Sequence, residues 1–230
     1  IDVPMKEMLD PAYLDARWKS FDPAKWSVPP GAGEIAGYPR ARAQLLADPL
    51  AETHASLNLN SESEWDRLDR KLHTTHFSVI DGAGNAVAIT TTVNDNFGSG
   101  FTPPNTGIVM NNEMDDFSIQ PGVANLYGLV GADANAVGPG KRPLSSMSPT
   151  VVRDAQGNAR LVLGAAGGPR ITTSVFLSIF NRLRFGMSMV DAVAAPRFHH
   201  QWRPLDLRLE RNGFSTDTRN KLLGLGHTLV

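Results

Sequence analysis

The chain contains no cysteine. That excludes disulfide scaffolds, cysteine zinc sites and thiol nucleophiles, and it leaves the redox compartment unread. No run of about 18 apolar residues occurs, so no segment predicts a membrane-spanning helix. No secretory signal pattern opens the sequence. Charge of one sign is also lacking: the formal net charge is −1 over 230 residues. There is no basic footprint, and no nucleic acid is expected as a partner. Six histidines remain as possible ligands. His73 and His76 lie in no HExxH or similar pattern, and the adjacent His199 and His200 would point apart on a strand. No metal and no cofactor is expected. There is no internal repeat and no low-complexity tract.

Hydrophobic residues make up 41% of the chain, enough for a sizeable core. Residues 7–20 carry helical periodicity, with Met8, Leu9, Tyr13, Leu14 and Trp18 at three- and four-residue steps. Residues 21–73 hold repeated Pro and Gly and then a polar stretch, and read as a long linker. Composition shifts at Thr74. Phe77 to Asp81 and Ala86 to Thr90 predict a hairpin around Gly82-Ala83-Gly84-Asn85. Both strands look apolar on both faces, as in a sheet covered on both sides. A short strand is expected at Ile108 to Met110. Residues 121–149 are too rich in Gly, Pro, Asn and Ser for regular elements. Strands follow at Thr150 to Arg153 and Arg160 to Leu163, joined by the turn "DAQGN". Ile171, Val175, Ile179 and Leu183 mark a helix that Gly186 stops. Ser188 to Ala195 and Thr216 to Leu223 are further helices, and "LDLRLE" a strand. Strands and helices in succession suggest α+β layering. The opening "IDVPMKEMLDPAYLDARWKSFDP" lacks an initiator Met, and the end "LLGLGHTLV" stops on strand-like residues. The polypeptide is expected to continue at both ends.

Four constellations could carry chemistry. Thr74 heads a strand after a polar linker. A threonine hydroxyl needs a nearby base, and its own α-amine, with a pKa of about 7.7–8.0, can serve once the preceding peptide bond is cut. An ordinary strand start reads the same way. Gly167-Gly168-Pro169 lies between a strand and a helix, where two backbone N–H groups could form an oxyanion hole. A tight turn would look alike. In "NNEMDDF", Glu113, Asp115 and Asp116 suit an ammonium group, or form a solvated acidic turn. In "KRPLSSMSP", Ser145, Ser146 and Ser148 near Lys141 and Arg142 suit a carboxylate, or form a serine-rich loop. Together the last two would grip an α-amino acid head group.

The stretches "TTHFSVIDGAGNAVAITTTVN", "NNEMDDFS", "PGVANLYGLVGADANAVGPGKRPLSSMSPT" and "APRFHHQW" resemble the γ-glutamyltranspeptidases. The likeness runs from about 74 to 210, and faintly to the "IDVP…LDPAY" opening. It implies an N-terminal nucleophile hydrolase with an α+β, four-layer αββα sandwich, here as a partial chain. It implies self-cleavage between His73 and Thr74. Residues 1–73 would be the end of the large-subunit region with its linker, and 74–230 the small, catalytic region.

The resemblance also implies the site. Thr74 is the nucleophile, Thr92 supports it, and Gly167 and Gly168 form the oxyanion hole. Asn94 binds substrate. Glu113 and Asp116 hold its α-amino group, Ser145 and Ser146 its α-carboxylate, and Tyr127 covers the site from a lid loop. Thr75 and His76 are supports, not catalysts. The implied substrates are glutathione and other γ-glutamyl compounds, with water, an amino acid or a dipeptide as acceptor. The large-subunit portion of the same precursor is the implied protein partner, and the periplasm or the exterior the implied location. The segment "WDRLDRKLH" before Thr74 departs from the family in bulk and charge, and "AAGG" stands where a Pro often precedes the glycine pair. A cephalosporin or glutaryl acylase of the same superfamily is the alternative enzyme, and an unprocessed, non-catalytic paralogue the alternative outside catalysis. A retained Asp116 separates the first, an intact His73–Thr74 bond the second.

Overall fold

The computed structural model describes residues 5–22, 24, 74–125, 127–201 and 205–230. His73 and nearly all of the expected linker lie outside the described residues. Five α-helices and six strands are formed among the described residues.

The amino-terminal helical stretch divides into α1 (Met5–Met8) and α2 (Pro11–Lys19). Asp10 causes the break. Its carboxylate accepts from Ala12 N and Tyr13 N, and Pro11 follows at the first helical position.

From Thr74 onward the chain is built from antiparallel pairs. β1 (Thr74–Ile80) pairs with β2 (Ala86–Thr92), and β3 (Thr150–Arg153) with β4 (Ala159–Leu163). Both turns use one device, Asp-x-x-Gly-Asn. Asp81 Oδ1 accepts from Ala83 N and Asn85 N at 2.9 and 2.8 Å. Asp154 Oδ1 accepts from Gln156 N and Asn158 N at 3.0 and 2.9 Å. Gly84 and Gly157 take φ of 84° and 88°, which explains the glycine before each asparagine. β1 and β2 both pack against β4.

Helix α3 (Arg170–Arg184) follows β4 after a glycine turn. It buries Ile171, Val175 and Ser178. Ile171 is 1% exposed, a burial worth about 2 kcal/mol. The expected apolar stripe does not hold to its end, because Leu183 is exposed. Phe176 and Phe180 instead stack on the outside of the helix, with centroids 5.5 Å apart, and Phe185 meets Phe180 edge-on at 5.3 Å. Helix α4 (Met189–Ala194) packs on α3, with Ser188 as its N-cap. β5 (Phe198–His200) pairs with β6 (Leu207–Leu209). Helix α5 (Thr216–Gly224) starts on the Ser215 cap.

Two expectations are corrected. Ile108 to Met110 is not a strand. Met110 is tied into a loop, with its carbonyl accepting from Ser99 N and its N–H donating to Phe101 O, both at 2.9 Å. The β1–β2 hairpin is not covered on both faces within the described residues. Phe77, Val79, Val87 and Ile89 are all 40% exposed or more. Thr74, His76, Ala86, Ala88, Thr90 and Thr92 are the half-buried positions. The expected irregularity of 121–149 holds, apart from one 3-10 turn at Asp133–Asn135 and isolated bridges.

Candidate active site

Strand alternation puts Thr74, His76 and Ser78 on one side of β1. The register sets them opposite Thr92, Thr90 and Ala88. Thr74 Oγ1 donates to Thr92 Oγ1 at 3.2 Å. The same Thr92 oxygen accepts from Asn94 N at 2.9 Å. Asn94 is 5% exposed and has φ 73°, a left-handed backbone that asparagine tolerates better than most residues. Its Oδ1 accepts from the Tyr127 hydroxyl at 2.8 Å, and its Nδ2 donates to Asn112 O at 3.3 Å. A hydroxyl, a second hydroxyl, an amide and a phenol thus run from the head of β1 to the 121–131 loop. Burial, and then the charges of Asp116 and its neighbours, push the Tyr127 phenol up to about 12. It stays protonated and keeps donating.

This network borders a cavity of about 580 Å³. Thr74, Thr92, Asn94, Asp116, Tyr127, Ser145, Ser146 and Gly168 all line it, although they come from distant stretches of sequence. Glu113 and Gly167 are not among the lining residues, though each shares a short turn with one that is: Glu113 with Asp116 and Gly167 with Gly168. Glu113 and Asp116 occupy one turn of 3-10 helix, Glu113–Asp116. Glu113 Oε1 is buried without a hydrogen-bond partner among the described residues. Burial, the hydrogen bond with Asp116 and its charge push the Glu113 carboxyl up to about 7. Burial raises Asp116 as well, opposed by its bond to Glu113. The pair is short of one positive charge, which an ammonium would supply.

Gly167 and Gly168 have φ of 132° and 56°, a backbone that admits glycine with least strain. Their carbonyls accept from Arg170 N and Ile171 N at 3.2 and 3.1 Å, closing the first turn of α3. Among the described residues neither glycine N–H donates to another backbone group. The serine loop is pinned to the same helix end, where Thr172 Oγ1 donates to Ser146 O at 3.3 Å. Lys141 does not join the serines, contrary to the reading of "KRPLSSMSP". Its Nζ donates to Ala136 O at 2.7 Å, and neither Lys141 nor Arg142 lines the cavity.

Three asparagines that sequence reasoning passed over hold the walls in place. Asn112 Oδ1 accepts from Asp95 N at 2.9 Å. Asn125 Oδ1 accepts from Tyr127 N and Leu129 N, both at 3.0 Å, folding the loop that carries the phenol. Asn135 Nδ2 donates to Asp116 O at 2.8 Å while its Oδ1 accepts from Leu144 N at 3.0 Å. It joins the acidic turn to the serine loop. The density of asparagine in these loops was the available signal, since its side chain substitutes for backbone partners.

Similarity to known proteins agrees with this geometry. A mutant γ-glutamyltranspeptidase of Helicobacter pylori superposes with a TM-score of 0.66 at 50% identity, over 68% of this chain and 83% of that one. The γ-glutamyltranspeptidase of Pseudomonas nitroreducens complexed with L-DON gives 0.65 at 47%, over 68% and 81%. The mixed helices and strands therefore form a fold of the N-terminal nucleophile hydrolase class. The glutathione hydrolase proenzyme of Escherichia coli is 56% identical over 158 residues, which are 68% of this chain and 27% of that protein. The family model described as Gamma-glutamyltranspeptidase matches residues 1–230, and the chain belongs to that family. It spans about a quarter of the length of the curated glutathione hydrolase proenzymes it first matches, at 27% for two of them.

Proposed function

We propose that this chain is part of a γ-glutamyltranspeptidase precursor that cleaves itself before Thr74 and then transfers or hydrolyses γ-glutamyl groups. One observation carries the reading. Thr74 lines a cavity together with Asp116, one carboxyl of the raised Glu113–Asp116 pair, and with Ser145, Ser146 and Gly168.

In maturation, Thr74 Oγ adds to the His73 carbonyl carbon, and the peptide bond gives way to an ester. The Thr74 α-amine is released in that step, and water then hydrolyses the ester to free the Thr74 hydroxyl and leave a carboxylate on His73. In turnover, the α-amine takes the Thr74 hydroxyl proton as Oγ attacks the γ-carbonyl of glutathione or a similar donor. Thr92 holds the hydroxyl in line, and the N–H groups of Gly167 and Gly168 receive the oxyanion. The leaving amine departs with the proton, and a γ-glutamyl ester remains on Thr74. Water, or the amine of an amino acid or dipeptide, then resolves it. Glu113 and Asp116 take the donor's α-ammonium, Ser145 and Ser146 its α-carboxylate, and Asn94 and Tyr127 close over it. The chemistry calls on no cofactor.

The retained carboxylate pair favours this donor over the acyl side chains of a cephalosporin or glutaryl acylase, which bear no ammonium. The intact nucleophile network weighs against a non-catalytic paralogue. The division into residues 1–73 and 74–230, with the first belonging to a large subunit, is part of the proposal. So is the four-layer αββα sandwich, in which another layer of the precursor covers the apolar outer face of the hairpin. An exported location, periplasmic or secreted, follows the same reading. No helix among the described residues is long and apolar enough to cross a membrane.

Intact mass of the full-length protein, with amino-terminal sequencing of any fragment, is the test. A fragment beginning Thr-Thr-His-Phe is expected. A single uncut chain that also fails to release p-nitroaniline from γ-glutamyl-p-nitroanilide would overturn the proposal.

A further inference from the structure

His76 is not needed as a base in the chemistry above, yet it is more tightly placed than a strand residue requires. Its Nδ1 is 2.8 Å from Thr90 Oγ1, and its Nε2 is 3.0 Å from Ser78 Oγ. Both ring nitrogens are therefore engaged by hydroxyls on the same face that carries Thr74. The ring also lies against Gly164. A Cβ built there would fall 2.2 Å from Nδ1, 2.4 Å from Cε1 and 2.7 Å from Cγ of the imidazole.

Gly164 is not among the residues with positive φ, so a left-handed backbone is not what calls for glycine there. The close approach of the His76 ring is what calls for a glycine at this point. Gly164 directly follows β4 and stands three residues before Gly167. The His76–Gly164 contact thus joins the strand that presents the nucleophile to the segment that presents the oxyanion amides. The ring acts as a spacer with two hydrogen-bonded ends.

We propose that His76 is a positioning residue that sets the distance between Thr74 and the Gly167–Gly168 turn, and that Gly164 is its matched partner. Acyl transfer needs the attacking oxygen and the oxyanion donors in one geometry, and a shift of about 1 Å costs on the order of 10²-fold in rate. The inference rests on the proposed function, because it assigns the spacing a catalytic use.

The test is a double-mutant cycle in the processed full-length enzyme with γ-glutamyl-p-nitroanilide as donor. Gly164→Ala should lower kcat by about 10²-fold with KM nearly unchanged, because the new methyl displaces the ring. His76→Ala should lower kcat on a similar scale, while the pH profile of kcat/KM keeps its shape. The double variant should be no worse than His76→Ala alone, since the added methyl then meets no ring. His76→Asn keeps a hydrogen-bonding group near the Nδ1 position and frees space over Gly164. It should retain more activity than His76→Ala and tolerate Gly164→Ala.

Multiplicative losses in the double variant would overturn the proposal, as would a silent Gly164→Ala. Loss of either limb of the pH profile in His76→Ala would overturn it too, by making His76 a titrating participant. Should the alanine variants melt below assay temperature, the His76→Asn series carries the same cycle. A wild-type enzyme inactive on the donor would fail the proposed function itself. An active wild type with multiplicative variants fails this inference alone.

Discussion

On one face of the β1–β2 hairpin stand Thr74, His76, Ser78, Ile80, Ala86, Ala88, Thr90 and Thr92, and on the other Thr75, Phe77, Val79, Val87, Ile89 and Thr91. Apart from the exposed Ile80 beside the turn, the first set is small or polar, and most of it is half-buried against β4 and the cavity. The second set holds the bulky apolar residues, and they are exposed. A hairpin with one free face normally turns its apolar side inward. Here the inward side is given largely to hydroxyls and an imidazole, which suits the nucleophile and supports that we propose stand there. The apolar side is left for the layer that we propose the rest of the precursor supplies. On the proposed reading, one pair of strands does chemistry on one face and assembly on the other.

The comparison can be broken most severely at Thr74. In the full-length precursor Thr74→Ala should abolish self-cleavage and lower turnover by at least about 10³-fold. A variant that still cleaves, seen by gel and amino-terminal sequencing, would remove the catalytic role of the inner face. The outer face is tested by Phe77→Ala, which should destabilise the full-length protein by about 3 kcal/mol in denaturant unfolding. A loss below about 0.5 kcal/mol would mean that this face meets water in the whole protein too.

The acidic turn sharpens the comparison through pH. Burial, and then Asp116, keep Glu113 protonated up to about pH 7. Above that pH the pair carries its second charge and holds an ammonium better. The KM for a γ-glutamyl donor should fall by roughly 3- to 10-fold between pH 6 and 8, and Glu113→Gln should flatten the change. Stability runs the other way. A carboxyl raised from 4.5 to about 7 contributes stability below 4.5 that is lost as pH rises through 7. The smallest effect belongs to Thr75, exposed on the outer face beside the nucleophile. Thr75→Ala should change stability by less than about 0.5 kcal/mol and leave turnover intact. A large loss of turnover would show that the two faces are not separable.

Much of the local structure was legible in the residues. The two Asp-x-x-Gly-Asn turns, the hairpin they close and the four-residue spacing of α3 are local matters, settled by backbone conformation and short-range hydrogen bonds. Thr74 at the head of a strand, the glycine pair before a helix and the acidic turn were visible for the same reason. The loop asparagines were not, because their partners lie up to 19 residues away, as Asn135 does from Asp116. Ile108 to Met110 was misread as a strand, since apolar runs do not say whether a ladder partner is present.

By itself, the sequence determined which residues share a face and where the chain must turn, because alternation and turn geometry depend only on near neighbours. Only the tertiary structure decided which face of the hairpin points into the cavity. It also decided that Lys141 turns away from the serines, and that His76 and Gly164 meet. Those outcomes depend on contacts between distant segments, and no periodicity in one segment encodes what another will place against it.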